Sequence, residues 1–452
     1  MMAQNTFFGR KVVAATFILA MFGWGIGFYG PPVFMYAVIQ RTGWSAQLCA
    51  AAVTVHFLAG TLVVVNLPRL YQLLGVARIT VSGTLLLSIG VYGWSIASQP
   101  YQLFMAAVLS GFGWVTLGAA AVNSIIAPWF VVKRPAALAM AYNGASIGGV
   151  VFSSLWVFLI TRTGFSNAAL MIGALAIVVI GALSLRVFRY QPEHLGQCPD
   201  GSAMTAAAPT ITTTPETSVR LWGNRQFVTL AAGMSLGLFA QIGLIAHLFL
   251  LLAATLGVQQ AGLAMGVATA SAIVGRTLVG WLMPINANRR AVACLSYAVQ
   301  LLGGIVLISA ANHSIWVWLG VALFGAGIGN ATSLPPLIAQ AEFARQQSQR
   351  VVALIVAIAQ GCYAFAPAVF GAVFTMTNGA QSGTWLFVLA AVFQGLAIAV
   401  FALGGKARIA SAPVIDEMLN CPPKVGRLVQ PLRVFHEQVL RTIQTHCRCG
   451  LP

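Results

Sequence analysis

The sequence predicts an all-α polytopic membrane protein, with twelve transmembrane helices in two six-helix bundles. Three observations lead there. Of 452 residues, 59% are apolar and 7% carry formal charge, whereas soluble domains run to about a quarter charged. That excludes an ordinary soluble enzyme, and the high hydrophobicity excludes disorder. The apolar residues form long stretches, each near or above the ~20 residues that a spanning helix needs. A polar gap in mid-chain splits these stretches into two sets that repeat each other weakly, as in many transporter folds.

The first stretch follows Arg10 and Lys11 and stays apolar from Val12 to Ile39. It is too long for a signal h-region and lacks a small-residue cleavage site, so it reads as a membrane helix. Within it, Gly30-Pro31-Pro32 removes backbone donors and predicts a bend. The first six spans are expected over 12–38, 46–67, 77–98, 101–126, 135–160 and 167–188. Residues 190–225 are polar and rich in Thr, Ala and Pro, which predicts a flexible linker. The second six spans are expected over 226–254, 261–284, 290–310, 314–339, 350–376 and 382–404, with a second bend at Pro367. The chain thus divides into bundle 1–189, linker 190–225, bundle 226–404 and tail 405–452.

Each half carries a basic residue opening a span (Arg78; Arg290). A Gly-rich helix with an Asn follows (Asn123; Asn330), then a Pro (Pro128; Pro335) and a basic loop (Lys133 and Arg134; Arg345 and Arg350). Part of the glycine spacing serves helix packing alone. In the tail, Leu428, Leu432, Phe435, Val439 and Ile443 alternate with Arg433 and Arg441. That pattern fits a basic amphipathic helix on the membrane surface or a solvated tail.

A net charge of +17 would point to nucleic acid in a soluble protein. Here the basic residues flank spans and no basic block with interleaved aromatics exists, so nucleic acid is not an expected partner. With both termini inside, the outer loops hold only Arg41 and Arg162, Arg276 falls within a span, and every other Arg and Lys flanks the inner face. The positive-inside rule then places both termini in the cytoplasm. The cysteines form no CxxC pair, and Cys447-x-Cys449 alone is too short a spacing for a metal signal. All seven acidic residues lie in inner loops or the tail, which argues against a metal-cation carrier. No phosphate-binding G-x-x-x-x-G-K-[ST] loop is present, and no nucleophile–base pair lies in a span. Neither a cofactor, a metal nor an enzymatic activity is expected.

Arg276 is the one Arg or Lys that falls well inside an expected span; Arg78, Arg186, Arg290 and Arg350 stand at span ends. A charge near mid-bilayer costs at least ~2.5–3.5 kcal/mol, so it should face a cavity or a partner. A bound carboxylate would match its planar guanidinium; the alternative is snorkelling to water or capping carbonyls of a neighbouring helix. His56 and His247 are the candidates for carrying a proton, because imidazole titrates near neutrality. The alternative for each is one interhelical hydrogen bond. Tyr29 and Asn143, with Trp24, Asn123, Tyr142, Gln241, Asn330, Gln360 and Tyr363, are further polar or amphipathic residues in spans. Each either lines a cavity or joins helices.

Four stretches resemble the major facilitator superfamily, and within it bacterial monocarboxylate porters and oxalate/formate antiporters. They are "GWGIGFYGPP" from Gly23, "APWFVVKRPAALAMAYNGASIGG" from Ala127, "QPEHLGQCPDG" from Gln191 and "GRTLVGWL" from Gly275. The resemblance implies a bacterial inner-membrane carrier in which helices 1, 5 and 7 line the cavity. That ranks Tyr29, Asn143 and His247 ahead of the other polar residues and assigns Arg276 to substrate binding. Two departures stand out. The loop "PRLYQLLGVAR" from Pro68 keeps Leu70 and Gly75 but has Gln72 and Leu73 where the superfamily has Asp and Arg, and Pro284 takes the Asp position in the second half. Ala272 replaces the acidic residue that precedes the helix 8 Arg in monocarboxylate porters. The expected function is therefore secondary active transport of a small organic anion by a monomer in the lipid bilayer, with Arg276, Tyr29, Asn143 and His247 binding substrate. Protons are possible partners through His247 or His56. The alternatives are efflux of an apolar or weakly acidic compound and a non-transporting membrane sensor.

Overall fold

A computed structural model describes residues 7–131, 133–201, 221–284, 287–310, 313–377 and 382–404. Among them, twelve helical segments are long and apolar enough to cross a membrane. The first half is built from α1 (Gly9–Gly27), α2 (Gly30–Thr42), α3 (Ala46–Leu74), α4 (Val76–Ile96), α5 (Pro100–Val115), α6 (Ala119–Ile126), α7 (Arg134–Thr163) and α8 (Phe165–Leu183). The second half is built from α9 (Arg225–Leu256), α10 (Val258–Leu282), α11 (Arg289–Ser309), α12 (Ser314–Glu342), α13 (Arg345–Tyr363), α14 (Ala366–Met376) and α15 (Ser382–Leu403). Three pairs share a span each: α1 with α2, α5 with α6, and α13 with α14.

Pro31 and Pro367 break their spans as expected: each lies in the first turn of a new helix, which needs no N–H from it. The break between α5 and α6 has no proline. There the Gly-rich run leaves the helix at Thr116–Gly118, and Gly118 is extended at φ −85°, ψ −164°. At Gly164 and Gly257 a single residue joins α7 to α8 and α9 to α10, at φ 82° in both. With ψ near 160° this backbone is reserved for glycine.

The two ends of the bundle differ in charge. The near face carries the start of α1 and the α3–α4 junction; the far face carries the α2–α3, α7–α8 and α9–α10 junctions. Arg41 and Arg162 stand in the last turns of α2 and α7 at the far face. Helix C-termini favour cations there, and Arg41 Nη2 donates to the carbonyls of Ala97 (2.8 Å) and Trp94 (3.3 Å). Apart from Arg276, the other described Arg and Lys residues lie toward the near face. Exposed Trp222 and Trp281 sit near one face and exposed Tyr101, Trp316 and Trp385 near the other, as in the aromatic belts of bilayer proteins.

The expected linker is structured at its start. The Asp200 carboxylate accepts from the amides of Val131 and Lys133, each at 3.1 Å, and Asp200 N donates to Trp129 O at 2.9 Å. Phe8 N donates to Gln197 Oε1 at 2.9 Å. These bonds tie residues 190–201 to the start of α1 and to the turn before α7. Residues 202–220 lie outside the described residues, as does the 405–452 tail with its expected amphipathic helix and Cys447 and Cys449.

One charged pair is buried inside the second half. Arg290 binds Glu342 through Nε–Oε1 (2.6 Å) and Nη2–Oε2 (2.8 Å), with the side chains 3% and 2% exposed. Its Nη2 also donates to Gln226 O at 2.9 Å, and Nη1 to Thr229 Oγ1 at 3.1 Å and Phe401 O at 3.4 Å. The near ends of α9, α11, α12 and α15 are thereby joined. The sequence places both residues at span ends as ordinary flanking charges. The structure corrects that: α12 runs on to Glu342, and the pair is desolvated.

Candidate functional site

The site begins at the break in the first span. In an unbroken helix Gly27 O would accept from residue 31, but Pro31 has no N–H. The Phe28 amide keeps its helical acceptor, Trp24 O (3.0 Å), and the Tyr29 amide reaches back to the same oxygen (2.8 Å), which also releases Gly25 O. Side chains from neighbouring helices replace the lost donors. His56 Nε2 donates to Gly27 O at 2.9 Å, and Trp156 Nε1 donates to Gly25 O at 3.2 Å. Since a carbonyl can only accept, the network assigns the proton to His56 Nε2. Its Nδ1 meets Ser110 Oγ at 2.8 Å, and Trp94 Nε1 donates to the same oxygen at 3.2 Å. His56 is 1% exposed and occupied at both nitrogens. His56→Ala orphans Gly27 O and is expected to cost about 1–3 kcal/mol. A lowered Tm of the purified protein, partly restored in His56→Gln, would show it; an unchanged Tm would refute the donor role.

The break aims Phe28 and Tyr29 in different directions. Tyr29 lies in a notch left by Gly149 on α7, together with the methyl of Thr269 on α10. A Cβ on Gly149 would stand 2.6 Å from Tyr29 Cε2 and 2.5 Å from Thr269 Cγ2. Tyr29 interacts through its hydroxyl with Thr269 and lies within electrostatic reach of Arg276. Arg276 follows Thr269 by two helical turns and so shares its face. Its Nε donates to Gly329 O on α12 at 3.0 Å. Gly275 permits that approach, since a Cβ there would overlap the carbonyl of Ala326. Among the described residues no carboxylate pairs with Arg276, and no hydrogen-bond acceptor meets its Nη1 or Nη2.

The two halves touch along three lines on the far side of this site. Tyr36 of α2 meets Phe249 of α9, ring centroids 5.2 Å apart. Thr54 Oγ1 of α3 accepts from Ala368 N of α14 at 3.0 Å. The third line is a regular row between α7 and α10. Thr161 Oγ1 accepts from Gln259 Nε2 at 2.9 Å, Val157 closes on Gly262, Val150 and Ser154 on Gly266, and Gly149 on Thr269. Closer to the near face, Asn143 and Ala139 of α7 are exposed, and Gly280 of α10 faces open space. Beside Phe28 a small cavity is lined wholly by apolar groups, among them Pro31 and Phe57 of the first half and Ile242 and Ile245 of the second.

The expected substrate residues are thus divided. Tyr29 and Arg276 lie within electrostatic reach of each other. Asn143 lies toward the near face on the stripe of α7 that meets α10 further along. His247 is fully buried at the far-side contact of α9 with α14. Its Nδ1 donates to Gly243 O of its own helix at 3.0 Å, so the lone pair of Nε2 is left without a partner. A Cβ on Gly371 of α14 would lie 3.4 Å from that nitrogen. Sequence reasoning did not single out Thr269 or Gly149. Gly149 was visible only as one of many glycines, and which of them faces Tyr29 depends on the register between helices.

A sequence profile of the Major Facilitator Superfamily matches residues 12–367. The MFS transporter asaE of Aspergillus flavus is 28% identical over 134 residues, covering 29% of this chain and 30% of that one. MFS-type transporter 1 of Ophiocordyceps sp. is 36% identical over 123 residues, 27% of this chain and 26% of that one. The alignments thus span under a third of either relative. Both relatives are fungal, and neither name supports the expected bacterial membrane or the monocarboxylate and oxalate/formate group. Among solved structures, the nucleoside transporter NupG superposes with TM-score 0.67 at 13% identity, covering 88% of this chain and 98% of that one. A bacterial homologue of the human lysosomal transporter Spinster, inward-facing and occupied, gives 0.62 at 16% identity over 87% and 96%. At these identities the likeness shows the fold.

Proposed function

Because the chain belongs to the Major Facilitator Superfamily, whose members carry small molecules across membranes by alternating access, we propose that it transports a small organic anion, a monocarboxylate first among them. The observation that carries this reading is the Arg276 guanidinium. It lies on the face of α10 that carries Thr269, within electrostatic reach of Tyr29, and among the described residues no carboxylate neutralises it. A bound carboxylate supplies the missing charge and two acceptors in matching geometry. The row of contacts at the far face leaves the near face as the open one. The concentration of Arg and Lys there favours the cytosolic side, with the N-terminus on that side. Proton coupling is assigned first to His247, whose Nε2 has a free lone pair, with His56 second because both its nitrogens are engaged. The path runs within one chain, so a monomer suffices.

The apolar lining around Phe28 supports a second reading, efflux of an apolar or weakly acidic compound, although the cavity there holds only about 10 Å³ in this conformation. Flux in proteoliposomes separates the two. Saturable uptake of labelled lactate, pyruvate, acetate, formate or oxalate is expected, stimulated at least severalfold by an inward proton gradient if transport is symport. Folded protein that moves none of these acids above empty liposomes would overturn the anion reading in favour of the second.

A further inference from the structure

We infer that the near face shuts by extending the α7–α10 row two more steps, which sets Asn143 against Arg276 and Ala139 against Gly280. The inference rests on the proposal that Arg276 holds the carried anion. In an antiparallel helix pair each step along one helix is matched by an equal step back along the other. The observed partners keep that register: Thr161 with Gln259, Val157 with Gly262, Gly149 with Thr269. Seven residues beyond Thr269 is Arg276, and six before Gly149 is Asn143, about two turns along each helix. One turn further on, the same register would bring Gly280 opposite Ala139.

Three features of these four residues are unexplained by the conformation described. Gly280 lies in the last turn of α10, and nothing stands within 4 Å of where its Cβ would be. Ala139 is exposed and carries only a methyl. Asn143, an amide with both a donor and an acceptor, is exposed on this stripe, with no side-chain partner among the described residues. Closure along the row accounts for all three. The small pair lets the helices approach as Gly262 and Gly266 do on the far side. The amide then reaches the guanidinium and any anion on it, so the carried anion gains a second polar contact as the near face shuts. Asn143 is in this scheme a positioning residue for the closed state.

Paired cysteines test the register. Ala139→Cys with Gly280→Cys in lipid vesicles is expected to form an intramolecular disulfide under mild oxidation, detected by peptide mass spectrometry. Flux should fall at least tenfold and recover with reductant. Met140→Cys with Gly280→Cys, one position round the helix, should cross-link at least tenfold more slowly. Thr161→Cys with Gln259→Cys should cross-link less as the near pair is locked. Equal rates for the Ala139 and Met140 pairs would overturn the register. Asn143→Ala should lower kcat/KM for the carried acid about tenfold with an unchanged Tm, and Asn143→Gln should recover part of it; unaltered kinetics would overturn the role of the amide. If the wild-type protein carries no acid, the anion proposal fails while the cross-linking result stands by itself.

Discussion

Glu342→Ala is expected to destabilise the protein by about 3–5 kcal/mol, the cost of leaving a buried charge without its partner. Arg290 is 3% exposed and cannot turn to water without unpacking four helix ends. Its remaining acceptors are the carbonyls of Gln226 and Phe401 and the hydroxyl of Thr229, none of which carries a full charge. Arg290→Ala should cost a similar amount by stranding Glu342. Joint replacement, Arg290→Met with Glu342→Leu, removes both charges and keeps the volume, so it should recover most of the loss. Thermal melting of the four proteins in one detergent checks this. A double variant as unstable as the sum of the singles would mean that the pair matters for its surrounding hydrogen bonds and not for its charges.

Arg276→Ala is expected to raise the apparent KM for the carried anion by one to two orders of magnitude, since hydrogen bonds to charged groups contribute about 1.5–3 kcal/mol. The fold should survive. The one hydrogen bond lost is to Gly329 O, and that carbonyl also accepts from Ser333 Oγ at 3.1 Å. Arg276→Lys should fall between, because an ammonium is a point charge that cannot hold a carboxylate in bidentate fashion. Initial rates in proteoliposomes across a substrate series give the numbers. If Arg276→Ala has the wild-type KM with intact Tm, the guanidinium serves the α10–α12 contact alone.

Most of the fold was legible because length and hydropathy carry it. The twelve spans fall within a few residues of their expected limits, and Pro31 and Pro367 mark two of the three breaks. The α5–α6 break was not legible, since glycine permits a helix to end without requiring it. Arg276 stood out by itself as a charge in an apolar run. What surrounds it did not, because Gly149 and Thr269 meet Tyr29 only through the register between separate helices. His56 illustrates the same limit: one residue type fits a proton carrier and a substitute backbone donor, and only its distance to the carbonyl orphaned by Pro31 shows the second. Arg290 and Glu342, 52 positions apart, looked like solvated flanks because sequence does not report how deeply a helix end is covered.

The one-residue junctions at Gly164 and Gly257 bear on how motion travels. Two of the helices that touch across the halves, α7 and α10, are each tied by a single glycine to a helix of their own half, α8 and α9. A long loop would take up displacement at the seam as slack. A junction of a single residue has almost no length to give. Each hairpin therefore acts as a stiff lever with its fulcrum at the far face, and a tilt at the seam is delivered to the other end of the bundle as a swing of two helices together.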